Sequence, residues 1–415
     1  MKRRILHVDQ NCYFASVEMI AHPEYRNVPM AVVGSVEKRH GIVLAKNYLA
    51  SAAGVKTAEV IWKAEQKCPN LVKAEAHFEK YSFYSKRLRE MYSEYSDRVE
   101  PFGLDECWID ISESCLDRDA KSVADEIRQR VKEEFSLSCS VGVSFNKVFA
   151  KLGSDYKKPD ATTVFSEEEF RDVVWKLPVE ELLFVGRSTK ASLHKINIRT
   201  IGDLANASES YLSSYLGKGG VMLWRYANGL DDDEVMKNDY KRDIKSVGNS
   251  TTPSSDMRNI KDVSGVMHSL AASVASRLRK YELLGTVVQI WVRDKNLNSY
   301  EKQRVLFEPS NNEKEIYETA LELFRESYNW HAAIRSVGVR CTKLISKNEG
   351  IQLSIFDDCE KLDREKKLDN TVDEINRRYG SGAIKRLVEL NGDLGNFDPS
   401  RTEGGICGKP GSELK

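Results

Sequence analysis

Apolar and polar positions along the chain change period several times, and those changes mark its elements. Residues 3–9, RRILHVD, alternate as a strand does, while QNCYFASVEMIAHPEYRN moves to helical spacing, with Ala15, Val17 and Ile20 apolar before a break near Pro23. A strand that carries an acid at its carboxyl end and runs into a helix is a common place for a ligand site. Val28 to Val33 reads as a second strand, Gly34 with SVEKRHG as a turn, and Ala58 to Cys68 as a helix stopped by Pro69. Glu75 to Tyr95 predicts an amphipathic helix whose aromatics Phe78, Tyr81, Phe83 and Tyr84 are most simply core packing. A hairpin over Arg98 to Ile111 follows, then a long helix from Asp117 to Phe135 and a strand from Ser138 to Val143. After these come a helix, a lysine-rich turn and a last strand. This order predicts a split β-α-β layer of ferredoxin-like type, one face covered by the two long helices.

From Leu177 the pattern shortens to small helices. Within FVGRSTKASLHK, Gly186 stands just before a helix flanked by Arg187 and Lys190, an arrangement that can hold a nucleic-acid phosphate on free backbone N–H groups. An ordinary αα-hairpin with glycine at its C′ position fits the same residues. Residues 230–244, LDDDEVMKNDYKRDI, are charged and aperiodic, as a tether is. A second split layer follows: strand 245–252, helix 260–281, strands 286–295 and 303–307, helix 313–329 and strand 333–344. Its strands carry Lys245, Arg293, Lys295, Arg304, Arg335, Arg340 and Lys343, whereas Glu313, Glu315, Glu318, Glu322 and Glu326 gather on the second helix. Such a sheet can offer a basic face to a phosphate backbone, or simply a solvated face with no partner. Beyond residue 346 come the short apolar peptide Gln352-Leu353-Ser354-Ile355-Phe356, a helix over Thr371 to Tyr379, and a tail expected to be disordered. The peptide either folds back on its own protein or anchors in a partner's groove.

At 415 residues the chain exceeds what one core organises, so two to four domains are expected. No apolar run approaches the roughly 20 residues of a membrane span, and the N-terminus lacks the apolar core of a signal peptide, so a cytoplasmic protein is expected. The eight cysteines form no Cys-x-x-Cys pair, which points to reduced, buried thiols. Lysines and arginines equal aspartates and glutamates at 63 each, so any attraction to nucleic acid has to be local.

The chemistry centres on EPFGLDECWID. Asp105 and Glu106 sit at the turn of the hairpin, and Asp9 ends the first strand. If the two strands pair, three carboxylates meet, and they need a divalent cation between them. That suits a two-metal phosphoryl transfer in which the acids hold ions and do little proton transfer themselves. Lys158 in KKPD and Tyr48, with Lys46 beside it, are candidate phosphate ligands.

Several motifs together resemble the Y-family translesion DNA polymerases, most closely the bacterial DNA polymerase IV and UmuC-like branch. They are LHVDQNCYFASVE, GIVLAKNYLA, EPFGLDECWIDIS, SVGVSFNKVFAK with its KKPD, FVGRSTKASLHKINIRTIGDL and KSVGNSTT, in family order over residues 1 to about 346. The resemblance implies an α+β, multi-domain right hand. Its parts are a ferredoxin-like palm (1–10 and 77–166), small fingers (11–76), a helical thumb (167–230), a linker (231–243), a β-α-β little finger (244–346) and a clamp-binding tail (347–415). It implies a template-directed DNA polymerase that works past damaged bases in the damage response, including SOS mutagenesis. Two Mg²⁺ ions, or Mn²⁺ in their place, would be held by Asp9, Asp105, Glu106 and the Gln10 main chain. Phe14 would be the steric gate under the sugar, with Tyr48, Ser51 and Lys158 on the triphosphate. Gly186, Arg187, Lys190, Lys245, Arg293, Arg335 and Arg340 would contact primer-template DNA. QLSIF resembles the peptide by which bacterial polymerases hold the sliding clamp, with Gln352, Leu353, Ile355 and Phe356 as anchors. A monomer with no membrane contact is expected. Three positions depart from the family pattern: Asn11 replaces a second acid, Gly103 replaces a serine, and Ser51 stands where a basic residue usually meets the triphosphate. Losing one charged hydrogen bond to phosphate costs roughly 1.5–3 kcal/mol. Ser51 and Asn11 motivate a rival reading, a catalytically impaired accessory protein that binds DNA and clamp. A nucleotidyl cyclase is the second rival, since paired acids on such a layer also serve that reaction.

Overall fold

The structure is a computed structural model that describes residues 3–34, 41–240, 243–348, 359–380 and 383–384. The anchors expected of the clamp peptide, Gln352, Leu353, Ile355 and Phe356, lie outside the described residues. Chain contacts separate one unit, residues 3–34 and 42–240, from a second that starts at 243. No described helix is long and apolar enough to cross a membrane.

In the first unit β1 (Ile5–Gln10) and α1 (Tyr13–Ala21) lead to β2 (Met30–Val33), β3 (Val43–Lys46), α2 (Tyr48–Ala52), α3 (Ile61–Lys67), β4 (Val72–Glu75) and α4 (Phe78–Tyr92). Next are β5 (Val99–Pro101), β6 (Glu106–Asp110), α5 (Ala120–Phe135), β7 (Cys139–Ser144), α6 (Lys147–Tyr156) and β8 (Thr162–Phe165). The helices α7 (Phe170–Val174), α8 (Arg187–Lys195), α9 (Ile201–Ala205), α10 (Glu209–Leu216) and α11 (Lys218–Ala227) complete it. One sheet has the order β5-β6-β1-β7-β8 and another the order β3-β2-β4.

Strand period two decides what the larger sheet shows on each side. Leu6, Val8, Cys107 and Ile109 enter a core with Tyr81, Leu88 and Met91 of α4 and Val123, Ile127 and Val131 of α5. Ile5, His7 and Asp9 point the other way, toward α6. That helix is capped by Asn146, whose side chain accepts from the Phe149 N–H at 2.8 Å. It lies so close to β7 that a Cβ at Gly142 would stand 1.8 Å from the Ala150 carbonyl oxygen. Only glycine permits this approach, which brings Lys151, Ser154 and Asp155 over the acid-bearing face.

In this unit three features differ from the sequence expectation. Residues 72–75 form a strand, parallel to β2, before the helix begins at Phe78, because a four-residue strand beside a helix shows too little alternation to be read. Phe83 is 61% exposed, since it stands about half a turn from buried Tyr81. The charged segment from Asp231 is laid along the sheet edge rather than free. Asp231 accepts the Lys147 and Val148 N–H groups at 3.1 and 3.3 Å, Val235 is buried, and Asn238 accepts the Val99 N–H at 2.8 Å. The buried Lys147–Glu100 ion pair at 2.7 Å is covered by this strap, whose Met236 N–H donates to Glu100.

The second unit contains β9 (Ser246–Thr251), α12 (Ile260–Lys280), β10 (Leu283–Asp294), β11 (Ser299–Ser310), α13 (Glu313–Ser327), β12 (Ile334–Ser346) and α14 (Cys359–Tyr379). Its antiparallel sheet has the order β11-β10-β12-β9, with Val288, Ile290, Val292, Val337 and Val339 packed on α12 and α13. Arg304 belongs to the helix side, where it binds Glu322 and Glu326 of α13, and it is not part of a basic open face. The last helix is longer than expected. Its Asp369 and Asp373 take the Arg279 guanidinium at 3.1 and 2.7 Å, a tertiary contact that a polar helix read in isolation does not display.

Candidate active site

The register of β1 on β6 sets Asp9 directly opposite Glu106, and the Gln10 N–H donates to the Asp105 carbonyl at 3.0 Å. Cross-strand partners share a face, so Asp9 and Glu106 are immediate neighbours, with Asp105 at the mouth of the hairpin. Burial, then the charges of Asp9 and Glu106, push the Asp105 carboxyl up to about 7. Burial also raises Asp9, against the pull of Lys158. For Glu106 burial opposes the charge, but the contacts from His7 and Lys151 prevail and hold it at about 2. Asp9 and Asp105 therefore resist ionising beside a charged Glu106.

Lysines of α6 and the loop after it partly relieve this. Lys158 Nζ lies 2.8 Å from Asp9 and 2.7 Å from Asp155, while Lys151 Nζ lies 2.5 Å from Glu106. His7 was not singled out from the sequence, yet it is fully buried with Nδ1 2.8 Å from Ser154 Oγ and Nε2 3.4 Å from Glu106. Burial lowers its proton affinity. The Ser154 hydroxyl already donates to the Lys151 carbonyl at 2.8 Å, which leaves its oxygen as an acceptor for the Nδ1–H of His7. A signal for these residues existed: His7 is two positions from Asp9 on one strand, and Lys147, Lys151 and Asp155 recur every four residues on one helix.

Among the described residues no three acid, histidine or cysteine side chains already surround one point. The donor set nonetheless fits hard divalent cations, because it offers carboxylate oxygens whose mutual repulsion, visible in Asp105, a double positive charge relieves.

On α1, one helical element away, Phe14 lies flat on Tyr81, with ring centroids 4.2 Å apart and planes 9° from parallel. Tyr48 begins α2 and is 47% exposed beside the Cys12 thiol. Burial raises that thiol, while Lys46 and Lys158 oppose the rise, so both lysines flank the same spot. Ser51 is exposed one turn along α2.

In α8, Gly186 takes the N-cap with no side-chain cap, and a Cβ there would meet nothing within 4 Å. Arg187 is exposed, but the Lys190 ammonium is engaged by Glu180 at 2.5 Å. In the second unit Arg293 stands opposite Ser336, and Arg340 between Gln289 and Gly248, on the face away from the helices. Arg335 sits at a register shift, and Lys245 is exposed just before β9.

Residues 8–155 match the family model described as impB/mucB/samB family, residues 244–355 its C-terminal domain, and residues 181–231 the thumb domain of DNA polymerase-iota. The chain is 48% identical over 391 residues to DNA polymerase IV of Acetivibrio thermocellus, covering 94% of this chain and 98% of that protein. It is 34% identical over 398 residues to DNA polymerase IV of Oceanobacillus iheyensis, covering 96% and 94%. The chain belongs to the impB/mucB/samB family, the Y-family DNA polymerases. A solved Y-family DNA polymerase chimera shares its fold, with a TM-score of 0.74 at 23% identity over 83% of this chain and 99% of the chimera.

Two of the three departures from the Y-family pattern have local explanations. Asn11 is buried and bridges two serines of the neighbouring strand segment: its amide donates to Ser138 Oγ at 3.3 Å and its carbonyl accepts from Ser140 Oγ at 3.0 Å. Gly103 has φ +106°, a conformation that a serine adopts only under strain, so glycine suits this hairpin. Nothing in the structure explains Ser51.

Proposed function

We infer that this chain is a template-directed DNA polymerase that adds deoxynucleotides to a primer 3′-hydroxyl, including opposite damaged bases, and releases pyrophosphate. The observation that carries this reading is the approach of Asp9, Asp105 and Glu106 at the β1–β6 register, where burial and then the charges of Asp9 and Glu106 push the Asp105 carboxyl up to about 7. When bound, two Mg²⁺ ions, or Mn²⁺, would be held by these acids and the Gln10 main-chain carbonyl, and would supply Lewis-acid stabilisation of charge on the phosphorus. Lys158, now paired with Asp9, takes the triphosphate as its counter-anion, and the Tyr48 hydroxyl donates to it. Phe14 lies under the sugar and excludes a 2′-hydroxyl. Lys46, flanking the same spot, replaces the charge absent at Ser51.

In this reading residues 1–10 and 77–166 are the palm, 11–76 the fingers, 167–230 the thumb, 231–243 the linker and 244–346 the little finger. The uncapped N-terminus at Gly186, with Arg187, contacts backbone phosphate, as do Arg293 and Arg340 on the open face of the second sheet, joined by Lys245 and Arg335. Lys190 contributes less, since Glu180 already neutralises it. Residues 352–356 hold the sliding clamp, and the enzyme works in the cytoplasm as a monomer. The impaired-accessory reading is not favoured, because all three acids are present and Asn11 and Gly103 have structural roles.

Primer extension tests the reading. Asp105→Ala and Glu106→Ala abolish extension in Mg²⁺ while primer-template Kd stays within about threefold, since carboxylates add repulsion and no grip. Extension at the parent rate in either variant would falsify the assignment.

A further inference from the structure

We propose that buried Glu18 is a specificity-determining positioning residue, which fixes the gate ring of Phe14 through Tyr81 and so sets how strongly the enzyme rejects ribonucleotides. This deepens the reading above and rests on Phe14 being the group under the sugar.

Phe14 and Glu18 are four residues apart on α1, hence on one face a turn apart. Tyr81 of α4 lies along that face and is braced at both ends. Its ring stacks on Phe14 at 4.2 Å, and its hydroxyl donates to Glu18 Oε1 at 2.6 Å. The hydroxyl also accepts the His77 N–H at 3.1 Å, and the Tyr81 carbonyl accepts the Tyr13 hydroxyl at 2.6 Å. Three of these contacts hold one fully buried phenol and the fourth holds its main chain, and the plane of that phenol is the floor on which Phe14 rests. Phe78 adds an edge contact to Phe14, with centroids 5.8 Å apart.

Glu18 is an expensive way to tie two helices together. It is 1% exposed, and a buried carboxylate costs several kcal/mol unless donors and cations surround it. Here the donors are Tyr81 and the His77 ring at 3.0 Å, with the Lys80 ammonium 3.9 Å away. Burial and the Glu18 charge both raise the Tyr81 phenol, so it remains a proton donor to the carboxylate. A charged acceptor makes that bond shorter and more directional than a neutral one. A gate must exclude a single hydroxyl, and a displacement of its ring by a fraction of an ångström opens that space. A stiff floor beneath the ring is what a charge-assisted bond provides.

The test compares kcat/KM for deoxyribo- over ribonucleoside triphosphates in the full-length protein, alongside thermal melting. Glu18→Ala and Tyr81→Phe each lower this ratio about tenfold, and the double variant falls no further than either alone. Glu18→Gln keeps an oxygen acceptor for the phenol and retains the ratio within about threefold. Tyr81→Phe removes one oxygen and keeps the ring, so it reports even if Glu18→Ala folds poorly. A parent ratio in Tyr81→Phe, with only the melting temperature lowered in Glu18→Ala, would reduce Glu18 to a helix tie and overturn the proposal. A parent ratio in Phe14→Ala would instead remove the gate assignment itself.

Discussion

Glu106 is flanked by two residues that lie within the motifs LHVDQNCYFASVE and SVGVSFNKVFAK without standing out there. Lys151 supplies charge at 2.5 Å, and His7 approaches from beneath at 3.4 Å, itself held by Ser154. Groups that orient a metal ligand commonly contribute tenfold to a hundredfold in metal affinity or activity. His7→Leu therefore raises the Mg²⁺ concentration needed for half-maximal primer extension by about tenfold and leaves primer-template affinity unchanged. A Mg²⁺ titration of the variant checks this; a midpoint equal to the parent's would leave His7 as core packing only. Asp9, Asp105, Glu106 and Lys158 were legible as candidates because acids at strand ends and a lysine in a turn are unusual against their neighbours. His7 and Lys151 were not, because a histidine in an apolar strand and a lysine on a helix look ordinary until α6 is laid across the sheet.

At the scale of elements, the segment from Asp231 shows how a tether and a strap share one composition. Burial raises the Asp231 carboxyl above its ordinary value. A folded-state value above the unfolded one penalises the charged form, so the cost is absent below about pH 4 and grows as pH climbs through the raised value. Asp231→Asn keeps an oxygen for the Lys147 and Val148 N–H groups and removes that charge. Its melting temperature accordingly rises relative to the parent between about pH 4 and pH 8. A difference that stays constant over that range would show that Asp231 carries no such penalty. The strand β4 escaped reading for a similar reason, since its pairing with β2 is non-local and leaves almost no periodic trace.

Across the whole molecule, a net charge of zero conceals a local asymmetry of small extent. On the open face of the second sheet Arg293, half-buried with its Nε donating to the Leu297 carbonyl at 3.4 Å, and Arg340 stand among Ser336, Gly338, Gly248 and Ser250, whose side chains are small. Arg340 is exposed and lies across Gly248, whose missing Cβ would collide with it at 2.9 Å. Arg340→Ala weakens primer-template binding to a similar degree on all sequences and reduces the slope of log K against log salt by about 1. Binding measured at several salt concentrations checks it, and an unchanged slope would place the backbone contact elsewhere.

The sequence by itself determined the alternation of strand and helix in both layers, the three carboxylates and the motifs of the Y-family DNA polymerases, because periodicity and residue type are local properties. Tertiary structure alone decided which groups surround those carboxylates and which basic residues remain available. Arg304 and Lys190 read as cations for DNA but are spent on Glu322, Glu326 and Glu180, and Phe14 reads as a lone aromatic but stacks on Tyr81, whose hydroxyl donates to Glu18. Partners brought together from distant parts of the chain leave no spacing to read, and the field at a site is the sum over all of them.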